Sequence, residues 1–578
     1  MSSKLPILVV GSGPAGLVCA ITLAKNDVPV RIIEQRTSFH GGIRGTTLVC
    51  RSQELLAFLG ILDDVKAIST PAFEISTYGP DGRDRKNNQW VATAGDTVTC
   101  PYPEVITVSQ ADFEGVLRKH LSGLGVDVET GCDFVGFTQD DTKVVARVKK
   151  TIPEGEAIED TIACSFLVAG DGAKGRTRKM LGITFAGETK DSERILSGSL
   201  VVSGVDKEHW HMWGNIGTAG MWLKPMYSGN MFQMQCMGLN LPEHLPTDLD
   251  GIRKLFVDIT HREDVIIHSA DWVSEWRANI RMCEKFGDNR VFLVGDAAHC
   301  HSPFGGQGMN TGIQDSLNLA WKLSSVWHGH ATRDLLESYG IERIPVVAEM
   351  LNLSTSIHTS VFRPSGSTLE LGQGTEVDNV RVMQRPRSLL QLGVNYRWSP
   401  IVHEERAGAN ADIKRDPYGQ KTDRVRAGDR APDAPVLQIA AVAGESDQDT
   451  RLHRLIDTRR HIVLVFPHPN EDSSLLVEAL AGATASETAL LVAVLPQGTV
   501  PAPDLTQSLS AARILVDSQG HARKAYNLDL PDSAGTEDPV IAAFVVIRPD
   551  SYIGAFTNSA RGVKAYFDNL WNGGQNRG

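Results

Sequence analysis

Asp296 and Glu34 are the carboxylates of this 578-residue chain whose surroundings best suit ligand chemistry. In residues 290–322, RVFLVGDAAHCHSPFGGQGMNTGIQDSLNLAWK, Asp296 follows an apolar run and a Gly-Asp turn, and a glycine-rich loop then leads into a long helical pattern. A carboxylate at a strand end accepts hydrogen bonds from ligand hydroxyls. A helix that starts near Gly308, with the amides of Met309 and Asn310 in its first turn, places partial positive charge a few ångströms away. Glu34 ends another apolar run, about 20 residues past Gly11-Ser12-Gly13-Pro14-Ala15-Gly16, where an acid takes the hydroxyls of an adenosine ribose.

These groups need elements to hold them. Residues 5–10 read as an apolar strand and residues 17–23 as an apolar helix, with the glycines between. Gly11 permits the tight turn, Gly13 lets the backbone approach a pyrophosphate, and Gly16 allows close helix–strand packing. A strand over residues 30–33 delivers Glu34. The glycine pattern alone is weak; strand, helix and acid together specify a dinucleotide site. A ligand with AMP at one end and a hydroxylated chain leading to a reducible ring at the other suits both carboxylates, which describes FAD.

Bulk properties narrow the class. The chain is too long for one compact core, so two or three domains are expected. With 57 basic and 69 acidic residues the net charge is −12, which disfavours nucleic acid or an anionic membrane as partner. No run has the length of a membrane span, and the N-terminus passes into a strand without a secretory pattern, so a cytoplasmic location is expected. The eight cysteines are scattered, none lies after Cys300, and buried reduced thiols are the preferred reading. His299-Cys300-His301 would need ligands from elsewhere to hold a metal, and no metal is expected.

Along the chain, residues 1–189 read as the first part of a nucleotide-binding α/β domain. It contains an amphipathic helix over residues 113–124 with Asp112 as N-cap, and a strand over 165–169 running into Asp171-Gly172 with Arg176 and Arg178 beyond. Residues 190–285 read as a β-rich layer suited to a substrate, with His209-Trp210-His211-Met212-Trp213 between its strands and a hairpin turn at Tyr227-Ser228-Gly229-Asn230. Residues 286–360 return to the nucleotide domain and its helices, 361–429 read as an irregular linker, and 430–578 as a small α/β unit in which strands alternate with helices.

Taken together, the motifs resemble the FAD-dependent aromatic hydroxylases, the class A flavoprotein monooxygenases, over about residues 5–350. Gly11, Gly13, Gly16 and Glu34 are similar to the family's ADP-binding fingerprint. Asp171-Gly172 with Arg178 is similar to its Asp-Gly motif, and residues 295–315 to its second FAD motif. The resemblance extends to Gln35, Arg36 and Arg44 near the pyrophosphate and pyridine nucleotide. It also covers Arg51 at a helix start, Gln110 on the FAD chain and Val135 by the adenine. Pro303, Gly306, Gly308, Met309 and Asn310 match the loop along the isoalloxazine. Gly175 stands where the Asp-Gly motif usually carries Ser, a departure that bears on the pyridine-nucleotide role. Residues 430–578 resemble the thioredoxin-like tail of the phenol hydroxylase branch, but without cysteine they cannot exchange disulfides. That tail is read as structural or dimer-forming, and a homodimer is expected.

The resemblance implies a Rossmann-like FAD domain with an interleaved β-rich substrate layer. It also implies a reaction in which NADPH, or less favourably NADH, reduces FAD, and dioxygen forms a C4a-hydroperoxide that hydroxylates a phenolic or related small aromatic compound. Trp210, His211, Trp213, Trp222, Met234, Arg281 and Pro303 are the pocket candidates, and no residue is identified as the base. Alternatives are epoxidation, Baeyer–Villiger insertion, or a flavoprotein that binds without turnover.

Overall fold

The computed structural model describes residues 4–39, 41–71, 73–88, 94–151, 157–215, 217–302, 304–362, 386–406, 415–419, 424–435, 437–439, 449–467, 488–498, 513–528 and 542–572. Among them a six-stranded sheet runs in the spatial order Gly287–Asp288, Val291–Leu293, Phe166–Ala169, Ile7–Val10, Val30–Ile33, Val128–Glu129. All neighbours pair in parallel except the first two. Ile7, Leu8, Val9, Leu167 and Val168 are fully buried. Near-continuous apolar strands of this kind belong to a parallel sheet covered on both faces. Helix Pro14–Lys25, with Pro14 in its first turn, packs beside helix Gly308–His328. Because the strands are parallel, Gly11, Glu34, Gly170-Asp171 and Gly295-Asp296 all emerge at one edge, the carboxyl ends where α/β sheets bind ligands.

A second sheet has eight strands among the described residues, in the order His299–Cys300, Ile266–Cys283, Phe185–Ser203, Met231–Met237, Ala219–Pro225, His209–Asn215, Glu74–Tyr78, Arg85–Asn88. Two strands of 19 and 18 residues, Phe185–Ser203 and Ile266–Cys283, form its spine. Residues 209–213, expected between strands, are themselves the strand His209–Asn215. The layer expected over residues 190–285 also takes in strands from 74–88, through the parallel pairing of Glu74–Tyr78 with His209–Asn215, and begins at Phe185, since strand partners far apart in sequence leave no local mark. The turn at 227–230 is a hairpin, closed by Met226 N to Met231 O.

Helix Gln110–Gly123 begins at Ser109, not Asp112: the Ser109 hydroxyl accepts from Asp112 N and donates to the Asp112 carboxylate, so Asp112 belongs to the first turn. A third sheet, drawn from the C-terminal part, runs His403–Glu404, Ile553–Thr557, Ala542–Ile547, His461–Pro467, Ala489–Leu495, Arg513–Asp517, Leu437–Ile439, Asp449–Thr450. A fully buried polar network joins it to the nucleotide part. Arg548 donates to both oxygens of Glu342 and to Asp550, Lys322 pairs with Glu342, and Trp321 Nε1 donates to Asp550. All eight cysteines are buried free thiols.

Candidate active site

Two joined cavities lie along the carboxyl edge of the parallel sheet and share Gly13, Arg44, Gln110, Gly170 and Gly172 in their walls. The first, about 350 Å³, is lined by Gly11, Glu34, Gln35, Arg36, Arg44, Gln110 and Asp171 among the expected residues, and also by Glu114, Lys174, Gly175 and Arg176. Glu34 is fixed from two sides: Ser12 N and Oγ donate to Oε2, and Arg36 N donates to Oε1. Gln110 donates to Glu114 Oε1 and accepts from Gly45 N, which ties the helix to the loop over residues 44–47. Burial lowers the Arg44 pKa, as does neighbouring Arg36, while Glu114 and Asp296 pull it back. Burial raises the carboxyl of Glu114.

The glycines explain the turn geometry. Gly11 has φ +98° and abuts Gly170, and a Cβ on Gly16 would meet Gly11 O at 2.0 Å. Gly13 faces open space, with nothing within 4 Å of a Cβ position. That is the room a pyrophosphate needs beside the helix start. Asp171 Oδ2 accepts from Thr177 N and Oγ1, while Oδ1 is buried with no hydrogen-bond partner among the described residues. A Cβ on Gly175 would lie 2.2 Å from Asp171 Oδ1. The absence of a side chain at Gly175 thus lets this carboxylate fold back onto the helix Arg176–Met180.

The second cavity, about 560 Å³, has Pro14, Ala15, Asp296, Gly306, Gly308 and Met309 on one side and the eight-stranded sheet on the other. Asp296 sits in a short turn whose flanks are buried while it is exposed to this space. Neither carboxylate oxygen accepts from a described residue, which suits a ligand hydroxyl. Helix Gly308–His328 starts here; its first closing bond runs from Thr311 N to Gln307 O, so the amides of 308–310 precede it. Replacing Asp296 with Ala should weaken FAD binding about ten- to a hundredfold, the effect of losing a charged acceptor of about 1.5–3 kcal/mol. Flavin fluorescence titration of the apoprotein measures it.

The sheet supplies the floor. Ile195, Ser197, Trp210, Trp222, Lys224, Gln233, Gln235, Met237, Trp272, Ser274 and Trp276 all face the cavity, every second residue of their strands. Trp210 and Trp222 meet edge to face at 5.3 Å, and Trp222 meets Phe304 at 6.5 Å. Lys224 Nζ donates to Thr46 Oγ1 and Thr47 Oγ1, and Gln233 Nε2 donates to Arg44 O.

Of the pocket candidates, Trp210 and Trp222 therefore line the cavity. Trp213 and Met234 point through the other face of the sheet into a core with Phe256 of helix Leu249–Thr260. His211 bonds Tyr78 there, with the two rings stacked. Arg281 is engaged by Asn279, Thr189 and Phe185 O. Pro303 lies outside the described residues.

Several expected cofactor residues act one step back. Arg51 is fully buried and donates to Glu54 and to Asp550 O. Arg178 donates to Ala297 O and Ala173 O and so braces the Asp296 turn. Asn310 accepts from Val49 N and donates to Thr47 O and Gly306 O, fixing the loop rather than lining the space. Val135 is not among the lining residues; Cys132, Asp133 and Phe134 are. His299, Cys300 and His301 diverge to Asp315, Asp296 O and Ser302 O, so they do not converge on one point.

Sequence reasoning missed Lys224, Gln233, Gln235, Trp272, Trp276, His301 and Phe304. Alternation along the strands could have separated 222, 224 from 223, and 233, 235 from 234, had the buried face been known.

Comparison with known proteins places these features in a family. The family model described as FAD binding domain matches residues 4–354. The chain is 29% identical over 571 residues to a flavin-dependent monooxygenase of Mycobacteroides abscessus, covering 97% of this chain and 99% of that one. It is 26% identical over 572 residues to pentachlorophenol 4-monooxygenase of Sphingobium chlorophenolicum, covering 97% and 95%. Its fold is similar to that of the flavin-dependent monooxygenase PieE solved with FAD and substrate, with TM-score 0.77, 19% identity, and 98% of each chain covered. It is similar also to aklavinone-11 hydroxylase solved with FAD and aklavinone, with TM-score 0.75, 20% identity, and 99% and 100% covered. The Gly13 cradle and the free Asp296 carboxylate fit FAD, and the chain belongs to the FAD-binding domain family of FAD-dependent aromatic hydroxylases.

Proposed function

We propose that this protein is a monooxygenase that uses NADPH and dioxygen to hydroxylate a phenolic or related aromatic compound. The observation that carries the reading is the continuity of the FAD cradle with a cavity walled by Trp210, Trp222, Trp272, Trp276 and Phe304. Bound FAD would supply the chemistry of taking a hydride and activating dioxygen. The chain's own residues do the rest. Asp296 and Gln110 would hold hydroxyls of the ligand chain, and the amides of 308–310 would offer positive potential to negative charge on the bound group. The indoles offer flat apolar surface to an aromatic substrate and exclude water from it. Lys224 and Gln233 fix the loop at residues 44–47 against the sheet.

The pyridine nucleotide, a homodimer and a cytoplasmic location belong to the same proposal. Among the described residues no helix is long and apolar enough to cross a membrane. The proposal also treats the C-terminal part as a thioredoxin-like unit that has no thiols. Its parallel strands His461–Pro467, Ala489–Leu495 and Arg513–Asp517, continued by antiparallel Ala542–Ile547 and Ile553–Thr557, support that reading. Purified protein is expected to be yellow and to oxidise NADPH faster when a suitable phenol is added. Labelled dioxygen should place one labelled atom in a phenolic product with its carbon skeleton intact. A yellow protein with no stimulated oxidation across a broad phenol panel would refute the catalytic reading.

A further inference from the structure

His301 lines the cavity between the Asp296 turn and the start of helix Gly308–His328, and its two ring nitrogens have different surroundings. Nδ1 lies at 2.5 Å from the carbonyl oxygen of Ser302. A carbonyl only accepts, so Nδ1 carries the hydrogen and Nε2 is left with a bare lone pair. Nε2 takes no hydrogen bond from a described residue. It rests against Gly308, where an added Cβ would come within 2.0 Å of it. The glycine at 308 thus leaves room for this nitrogen at the cavity wall.

The carbonyl that sets the tautomer is itself held in place. The Ser302 hydroxyl bonds His358 Nδ1 at 2.8 Å, and His358 Nε2 bonds Glu193. Ser302 and His358 are buried, and Phe304 N also bonds the Ser302 hydroxyl. A serine, a histidine and a glutamate from three separate segments therefore fix one peptide group beside the cavity.

We infer that His301 Nε2 is the proton acceptor for a ring hydroxyl of the substrate, so that the site takes aromatic compounds carrying an ionisable hydroxyl and binds them as the phenolate. The inference rests on the monooxygenase reading and supplies the base that the sequence did not reveal. The O–H bond of the substrate breaks, its electron pair stays on the oxygen, and a new N–H bond forms at Nε2. The imidazolium later returns this proton to an oxygen of the product, so the histidine is regenerated. Electron density left on the ring makes it the better nucleophile toward an electrophilic oxygen.

The surroundings suit a base that begins neutral. Burial lowers the His301 pKa and so does His299, whereas Asp296 and the Ser302 carbonyl act in the opposite direction. Asp296 stands close enough to stabilise the imidazolium once formed. Arg44, and Lys224 from the sheet, are the cations that share the cavity, and both favour a phenolate. His358 and Glu193 face His301 through Ser302.

The test uses FAD-loaded full-length protein, wild type and His301→Gln, with 4-nitrophenol as a coloured probe. In wild type the bound probe should show its phenolate band about one pH unit lower than in solution, a tenfold shift in its ionisation. His301→Gln should keep its FAD content and melting temperature but lose that shift. Its product formation with a phenol should fall on the order of 100-fold, in the range of a lost general base. Nitrogen NMR of histidine-labelled wild type gives a second readout that needs no substrate: the His301 signal should show Nδ1 protonated and Nε2 bare at neutral pH. Nε2 carrying the proton, a probe that binds wild type without the shift, or an unchanged shift in His301→Gln would overturn the assignment. A protein that takes up no FAD would instead overturn the reading beneath it.

Discussion

An Arg548→Met variant should lose about 3–5 kcal/mol of stability, the penalty for stripping one partner from a buried ion pair. Glu342 and Asp550 would be left as fully buried carboxylates, with Lys322 the only remaining cation bonded to Glu342 among the described residues. Burial alone would raise the Glu342 carboxyl, but Arg548 first and Lys322 next overturn this and hold it well below the usual carboxylate range. Asp315 behaves alike: burial opposes ionisation, and Arg343 and His299 override it. A carboxyl depressed in the folded state contributes stability that is present above its unfolded pKa and lost as pH falls through the folded one. Wild type should therefore weaken progressively below about pH 4. Arg548→Met should unfold at a higher pH than wild type in an acid titration followed by circular dichroism. Equal acid midpoints for the two proteins would contradict the network's role.

Gly16→Ala and Gly13→Ala should fail in different ways. At Gly16 the new methyl would meet backbone oxygen at 2.0 Å, and backbone cannot swing aside like a side chain. Overpacking there should cost about 3 kcal/mol, and helix Pro14–Lys25 would be pushed off the turn that presents the cradle. At Gly13 the methyl meets no protein atom within 4 Å, so the fold should survive. It would instead occupy the ligand's own space and leave a phosphate oxygen short of its amide partners, a loss of about 1.5–3 kcal/mol or roughly ten- to a hundredfold in affinity. Melting curves should separate the pair, Gly16→Ala low and Gly13→Ala near wild type. The ratio of flavin to protein absorbance should be low in both.

The turns that form the candidate FAD cradle were legible because each of them is local. Gly11 to Gly16, Glu34 and residues 295–310 carry their geometry in short stretches of chain, where glycine, acid and helix start stand next to each other. The substrate side was only half legible. Trp210 and Trp213 look equivalent in the sequence, yet a strand turns them to opposite faces, one toward the cavity and one toward Phe256. Which parity faces inward is decided by the packing of helix Leu249–Thr260 on the sheet, a tertiary fact. Arg51 and Arg178 sit in family-like positions, but their partners, Asp550 O and Ala297 O, are 499 and 119 residues away. Long-range partners of this kind leave no trace in spacing. His301 was passed over as part of a His-Cys-His metal question, since only the Ser302 carbonyl shows which of its nitrogens is free.

The alternation along the substrate sheet has a consequence for how such a chain can diversify. Residues 222, 224, 233 and 235 touch whatever fills the cavity, while 221, 223, 232 and 234 are interior props for the helix behind. Ring preference and foldedness are thus written on separate, interleaved registers of the same strands. A mutational library confined to the first register could retune which molecule is accepted and still yield mostly soluble protein, whereas one drawn from the second would yield mostly aggregates.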